Sequence, residues 1–170
     1  SLPPPGRRTA RSAWHGLVLF AILASTGCQA VISRTLLPRK EFREPEHRVR
    51  VTRDAAMTTQ DGVELRAFVY RPDGSEKTPT ILIRVPYGLK GFSTVAEIYA
   101  ERGFNAVIQA CRGTDASEGE FEPLSNERND GLDTLEWIKA QPWYDGRLGL
   151  SGPSYLGYAQ WAISDALPKQ

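Results

Sequence analysis

The sequence predicts an α/β domain in which a hairpin of strands precedes a parallel sheet covered by helices. Three observations carry that reading. Residues 47–53 and 63–71 alternate apolar and polar, as half-buried strands do. Three short apolar runs follow, "TILIRV" (80–85), "FNAVIQAC" (104–111) and "RLGLS" (147–151), each leading into a stretch of helical periodicity. Strands that alternate with helices build parallel sheets, because the crossover between parallel strands must pass over a face of the sheet.

Each element has its own warrant. In "HRVRVTR", Val49 and Val51 share one face, and the turn pair Asp61-Gly62 separates this strand from "VELRAFVYR". Pro72, Asp73 and Gly74 close the second strand. A helix is expected over 93–102, ending at Gly103, and another over 126–140, halted before Pro142 with Leu132, Leu135 and Ile138 on one face. The last helix is expected over 155–166. Trp137, Trp143 and Trp161 read as helix and loop core, and Cys111 as a small side chain in a buried strand.

The N-terminus reads as a targeting segment. Arg7, Arg8 and Arg11 precede the apolar run "LVLFAILA" (17–24), and "STGC" follows, the arrangement of a signal peptide over 1–27. The run is far short of the ~20 residues that span a bilayer. "ASTGCQ" is similar to a lipobox, with Gly27 fitting and Ser25 standing where leucine is preferred. Two alternatives stay open: lipidation of Cys28 after cleavage before it, or an ordinary signal peptide cut nearby. Either implies export to the bacterial periplasm, cell envelope or medium, with membrane attachment only through Cys28. Residues 28–46 read as a linker and 47–170 as the globular part.

Composition narrows the function. A net charge of +1, with basic residues scattered among acids, gives no electrostatic case for nucleic acid. The two cysteines, Cys28 and Cys111, form no Cys-x-x-Cys pair, and no His/Cys cluster or phosphate-binding loop is present, so neither metal nor cofactor is expected.

The chemistry-bearing corner is "GPSYLG" (152–157), where the third strand turns into a helix. Such a turn exposes a hydroxyl and places the next backbone N–H beside it at a helix N-terminus. A serine N-cap on a glycine turn is the alternative. The second glycine, Gly157, stands one place later than in G-x-S-x-G. "GPSYLG" resembles the G-x-S-Y-x-G elbow of the X-Pro dipeptidyl-peptidase and cocaine-esterase family of serine hydrolases, in which that shift is usual. "TTQDGVELRAFVYRPDG" (58–74), "ILIRVPYG" (81–88), "YAERGFNAVIQACRGTDASEGEF" (99–121) and "DGLDTLEWIKAQPWYDGRLGLSG" (130–152) extend the likeness over the chain after about residue 48.

The resemblance implies an α/β-hydrolase fold, here incomplete: hairpin strands, then β-α-β-α-β-α up to the nucleophile elbow. It implies Ser154 as nucleophile, with the Tyr155 backbone N–H and the Tyr87 hydroxyl forming the oxyanion hole. The implied substrate is a small ester or peptide. An acyl esterase is expected ahead of an X-Pro dipeptidyl-peptidase or an amino-acid ester hydrolase. A non-catalytic scaffold or a gene remnant is the reading of another class. Arg112, Asp115 and Glu118 are expected to be loop scaffolding. After Ser154 the sequence holds Asp165 and no histidine, whereas this fold orders its triad Ser, Asp or Glu, His. The expectation is an N-terminal portion that lacks acid and base and is inactive alone, since His15 and His47 both precede the nucleophile.

Overall fold

The computed structural model describes residues 43–74 and 77–167. The predicted signal segment, His15, Cys28 and most of the predicted linker lie outside them. Five strands form one mixed sheet in the order β1-β2-β4-β3-β5: β1 (Val49–Thr58), β2 (Glu64–Pro72), β3 (Thr78–Val85), β4 (Asn105–Ala110) and β5 (Tyr144–Leu150). β1 and β2 form the hairpin, β2 meets β4 antiparallel, and β3 runs parallel to both β4 and β5. Three helices connect or follow the parallel strands: α1 (Ser93–Ala100), α2 (Glu127–Lys139) and α3 (Tyr155–Trp161). The hairpin-then-crossover architecture is the predicted one.

The pleat sends successive side chains to opposite faces, and the core divides accordingly. Ala67, Val69, Leu82 and Val107 meet Leu135 and Ile138 of α2 on one face, while Tyr70, Ile83, Ile108 and Ala106 meet Ala96 and Ala100 of α1 on the other. All six residues of β4 are buried, as a strand covered on both faces requires. Its 104–111 run is therefore continuous rather than alternating.

Several boundaries differ from expectation, most by one or two residues. β1 continues to Thr58 because an irregularity between Thr52 and Ala55 restarts the ladder and turns Met57 inward. β5 starts at Tyr144 rather than 147 and passes through Gly146 at φ 100°. Cys111 lies one residue past β4, still buried. α3 ends at Trp161 rather than 166, and the Arg128 guanidinium takes up the carbonyl of Ala162 beyond it at 2.6 Å. Asp165 then sits in a separate 3-10 turn and pairs with Arg128. One packing expectation fails outright: Trp161 is 79% exposed, whereas Trp143 is buried and packs edge-on against Trp137.

Candidate active site

The C-terminal ends of β3, β4 and β5 lie on one edge of the sheet, since these three strands are mutually parallel. Tyr87 follows β3, the 111–121 loop follows β4, and Ser154 follows β5. In open α/β sheets this is the edge that receives ligands.

The corner between β5 and α3 is tightly made. Ser151 still donates its backbone N–H to Leu82 at 3.1 Å, continuing the strand. Gly152 then adopts φ +133°, and Ser154 adopts φ 58°, ψ −127°. Positive φ at a non-glycine residue costs about 1–3 kcal/mol and persists only where the surroundings over-determine it. Here they do. The Gln160 side-chain amide donates to the Gly152 carbonyl at 2.7 Å, and the Tyr158 N–H closes the first helical bond on the Ser154 carbonyl at 3.1 Å. Ser154 precedes α3 but makes no side-chain capping bond, and it is exposed. The N-cap alternative therefore gives no account of the strained residue, whose hydroxyl is presented to solvent.

Tyr87 stands beside this corner. Its ring meets the Tyr155 ring edge-on at 6.4 Å between centroids, and it is 63% exposed. Its loop is fixed from behind: Asp115 accepts the Leu89 backbone N–H at 2.8 Å, and Leu89 is buried. Asp115 thus ties the loop after β3 to the loop after β4. Arg112 forks between Asp61, at 2.7 and 2.9 Å, and Asp130, at 2.6 and 3.2 Å. Its guanidinium holds the Asp61 carboxyl far below the usual carboxylate range, with the Thr59 hydroxyl adding to the effect. Glu118 accepts the Glu64 N–H at 3.1 Å. All three side chains brace loops.

Tyr155 lies under the corner in an aromatic cluster with Tyr87, Phe121 and Tyr158. Its hydroxyl donates to Glu127 Oε1 and accepts the Leu124 N–H at 3.1 Å. Burial, then the bond to Glu127, push the phenol well above its ordinary pKa, so it remains a donor at neutral pH. Glu127 is 3% exposed in the first turn of α2, and its carbonyl accepts Arg84 Nη1 at 2.6 Å. Arg84, itself buried, also donates to Gln109 at 3.0 Å and faces Asp130 at 3.8 Å. Sequence reasoning passed over Glu127, Asp130 and Arg84. The only available signal was a pair of acidic residues three apart in the first turn of a helix, which ordinarily reads as a dipole complement.

His47 lies at the opposite end of the sheet. Its Nε2 would sit 3.5 Å from a Cβ placed on Gly103, just before β4, and its backbone N–H donates to Glu101. The six-residue β4 alone separates the two edges by about 20 Å. His47 is therefore out of reach of Ser154. Among the described residues, no group of three or more His, Cys, Asp or Glu side chains could hold a metal ion, and no helix is long and apolar enough to cross a membrane. A groove of about 290 Å³, lined by Gln60, Asp61, Arg112, Asn126, Asn129, Leu132 and Asp133, includes none of the three predicted site residues.

Comparison with known proteins identifies the family and the fold. The profile of the X-Pro dipeptidyl-peptidase (S15) family matches residues 61–170. A cocaine esterase from Rhodococcus sp. (strain MB1 Bresler) is 41% identical over 117 residues, covering 65% of this chain and 20% of that protein. Among solved structures, a CocE/NonD family hydrolase from Staphylococcus aureus superposes with a TM-score of 0.60 at 24% identity, over 69% of this chain and 25% of that one. An α-amino acid ester hydrolase gives 0.62 at 22% identity, over 79% and 26% respectively. The structural likenesses speak for the fold, that of α/β hydrolases. The chain spans a fifth of the esterase and about a quarter of these two structures.

Proposed function

Since the chain belongs to the X-Pro dipeptidyl-peptidase (S15) family, we propose that it is the N-terminal portion of a serine hydrolase that cleaves ester or amide bonds through an acyl-enzyme on Ser154. The observation that carries this reading is the strained, exposed Ser154 at φ 58°, ψ −127° between β5 and α3. A non-catalytic scaffold has no use for that strain.

The chemistry runs in two balanced halves. A base takes the Ser154 hydroxyl proton as Oγ attacks the substrate carbonyl carbon, and the carbonyl electron pair moves onto oxygen. The Tyr155 backbone N–H and the Tyr87 hydroxyl hydrogen-bond that oxyanion. The carbonyl re-forms as the bond to the leaving alkoxide or amine breaks, and the leaving group takes the proton. Water then repeats the sequence and releases the acid from Ser154. The histidine base and its carboxylate partner come from residues outside these 170. Support comes from the chain spanning a fifth of the esterase it resembles, and from His47 lying at the far edge of the sheet.

The proposed substrate class is a small acyl ester, on the strength of the 41% identity to a protein named for esterase activity. The enzyme is proposed to be exported, by cleavage before or near Cys28. Mass spectrometry of the mature N-terminus tests export: an abundant species that retains Ser1 contradicts it, and an unlipidated N-terminus contradicts only the anchor. The test of function is Ser154→Ala in the complete enzyme, meaning the longer polypeptide this reading requires. Hydrolysis of p-nitrophenyl acetate is expected to vanish with the fold intact, and undiminished hydrolysis would refute the assignment.

A further inference from the structure

A buried carboxylate is expensive unless its oxygens are paired, and Glu127 is incompletely paired. Its Oε1 accepts the Tyr155 hydroxyl, while its Oε2 is buried with no hydrogen-bond partner among the described residues. The helix gains little that an exposed acid in the first turn would not supply. What the burial accomplishes lies at the other end of the contact. Tyr155 is the first residue of α3, immediately after the strained Ser154. Its hydroxyl is held from two sides, by Glu127 and by the Leu124 N–H, and its ring is the surface against which the Tyr87 ring rests. One side chain thus links both groups assigned to the oxyanion hole. Glu127 anchors that side chain to α2, where its own backbone carbonyl accepts Arg84 of the buried cluster with Gln109 and Asp130.

We propose that Glu127 is a positioning residue for the oxyanion hole: through the Tyr155 hydroxyl it fixes the direction of the Tyr155 backbone N–H and the seat of the Tyr87 ring. The inference rests on the Ser154 reading above. Oxyanion donors act by being fixed before charge develops, so a loosened donor lowers kcat more than it weakens substrate binding. A displacement on the order of 1 Å at a catalytic group can cost about a hundredfold.

The experiment uses the complete enzyme with p-nitrophenyl acetate. Glu127→Ala and Tyr155→Phe each break the same bond, and each is expected to lower kcat by about ten- to a hundredfold with KM little changed. The double variant is expected to lose no more than the worse single variant. Glu127→Gln keeps an acceptor and is expected to recover most of the loss. The effect of Tyr87→Phe is expected to shrink in the Glu127→Ala background, which a purely structural role would not produce. Wild-type kcat in Tyr155→Phe, or losses that multiply, overturns the inference while leaving the nucleophile intact. If Glu127→Ala does not fold, the Tyr155→Phe and Glu127→Gln results still decide. A wild-type enzyme indifferent to Ser154→Ala refutes the nucleophile reading, and this inference with it.

Discussion

Gly152 and Leu156 compete for the same space: a Cβ on Gly152 would lie 2.5 Å from both the Cβ and a Cδ of Leu156. Leu156 is buried against the face that α1 covers, so it cannot retreat. Gly152→Ala must push α3 away from β5 and also hold alanine at φ +133°. The expected cost is about 1–3 kcal/mol of stability from overpacking, with the proposed esterase activity of the complete enzyme lost through displacement of Ser154. Thermal unfolding and hydrolysis of p-nitrophenyl acetate check both. By contrast Gly157, the second glycine of the motif, has only a carbonyl at 3.6 Å, an ordinary contact. Gly157→Ala is expected to fold normally.

Relieving the strain separates stability from activity. Ser154→Gly removes both the hydroxyl and the steric objection to φ 58°. The variant is expected to be inactive yet more stable than the wild type by about 1 kcal/mol, strain relief exceeding the added chain entropy. Chemical denaturation measures this, and a Ser154→Gly enzyme less stable than Ser154→Ala would contradict the strain argument.

Tyr87 presents its hydroxyl without supporting the core, being largely exposed. If Tyr87 is the proposed oxyanion donor, Tyr87→Phe costs about 2.7–4 kcal/mol in the transition state, the range for one such donor, and its exposure leaves the unfolding midpoint almost unmoved. Steady-state kinetics beside thermal unfolding distinguishes this from a packing role.

Cys111 gives a pH dependence with a definite sign. Burial pushes its thiol from about 9 up to about 11. A raised folded pKa means that the unfolded chain loses the proton first. Stability from this group is thus fully present below about pH 9 and lost as pH rises through about 11. Cys111→Ala is expected to flatten the fall in unfolding free energy across that window. Native Cys111 is expected to resist iodoacetamide at pH 8 and to react once the protein is unfolded.

The sheet was legible because apolar runs and turn residues are local signals. "TILIRV" and "FNAVIQAC" fall on β3 and β4 to within two residues at each end. The strand-to-helix turn was legible from Gly-Pro-Ser after an apolar run, but its reading as a nucleophile elbow came from the family resemblance of GPSYLG. The start of β5 was missed because its first residues, Tyr144-Asp145-Gly146, carry no apolar run of the kind that marks 147–151. Trp161 misled because helical spacing shows which residues share a face, not what covers that face. Glu127 escaped notice because its partner, Tyr155, is 28 residues away. Only the fold brings α2 under the corner, and Gly131 permits it: a Cβ there would lie 2.6 Å from Ile163.

An activated Ser154 reacts covalently with an electrophile that mimics the acyl carbonyl. The complete enzyme is treated with a fluorophosphonate and digested, and the modified residue is located by mass spectrometry. Stoichiometric modification at Ser154, abolished in Ser154→Ala and strongly slowed in Tyr87→Phe, is the predicted result. A folded, esterolytically active enzyme that carries the label elsewhere, or stays unlabelled, would contradict the account.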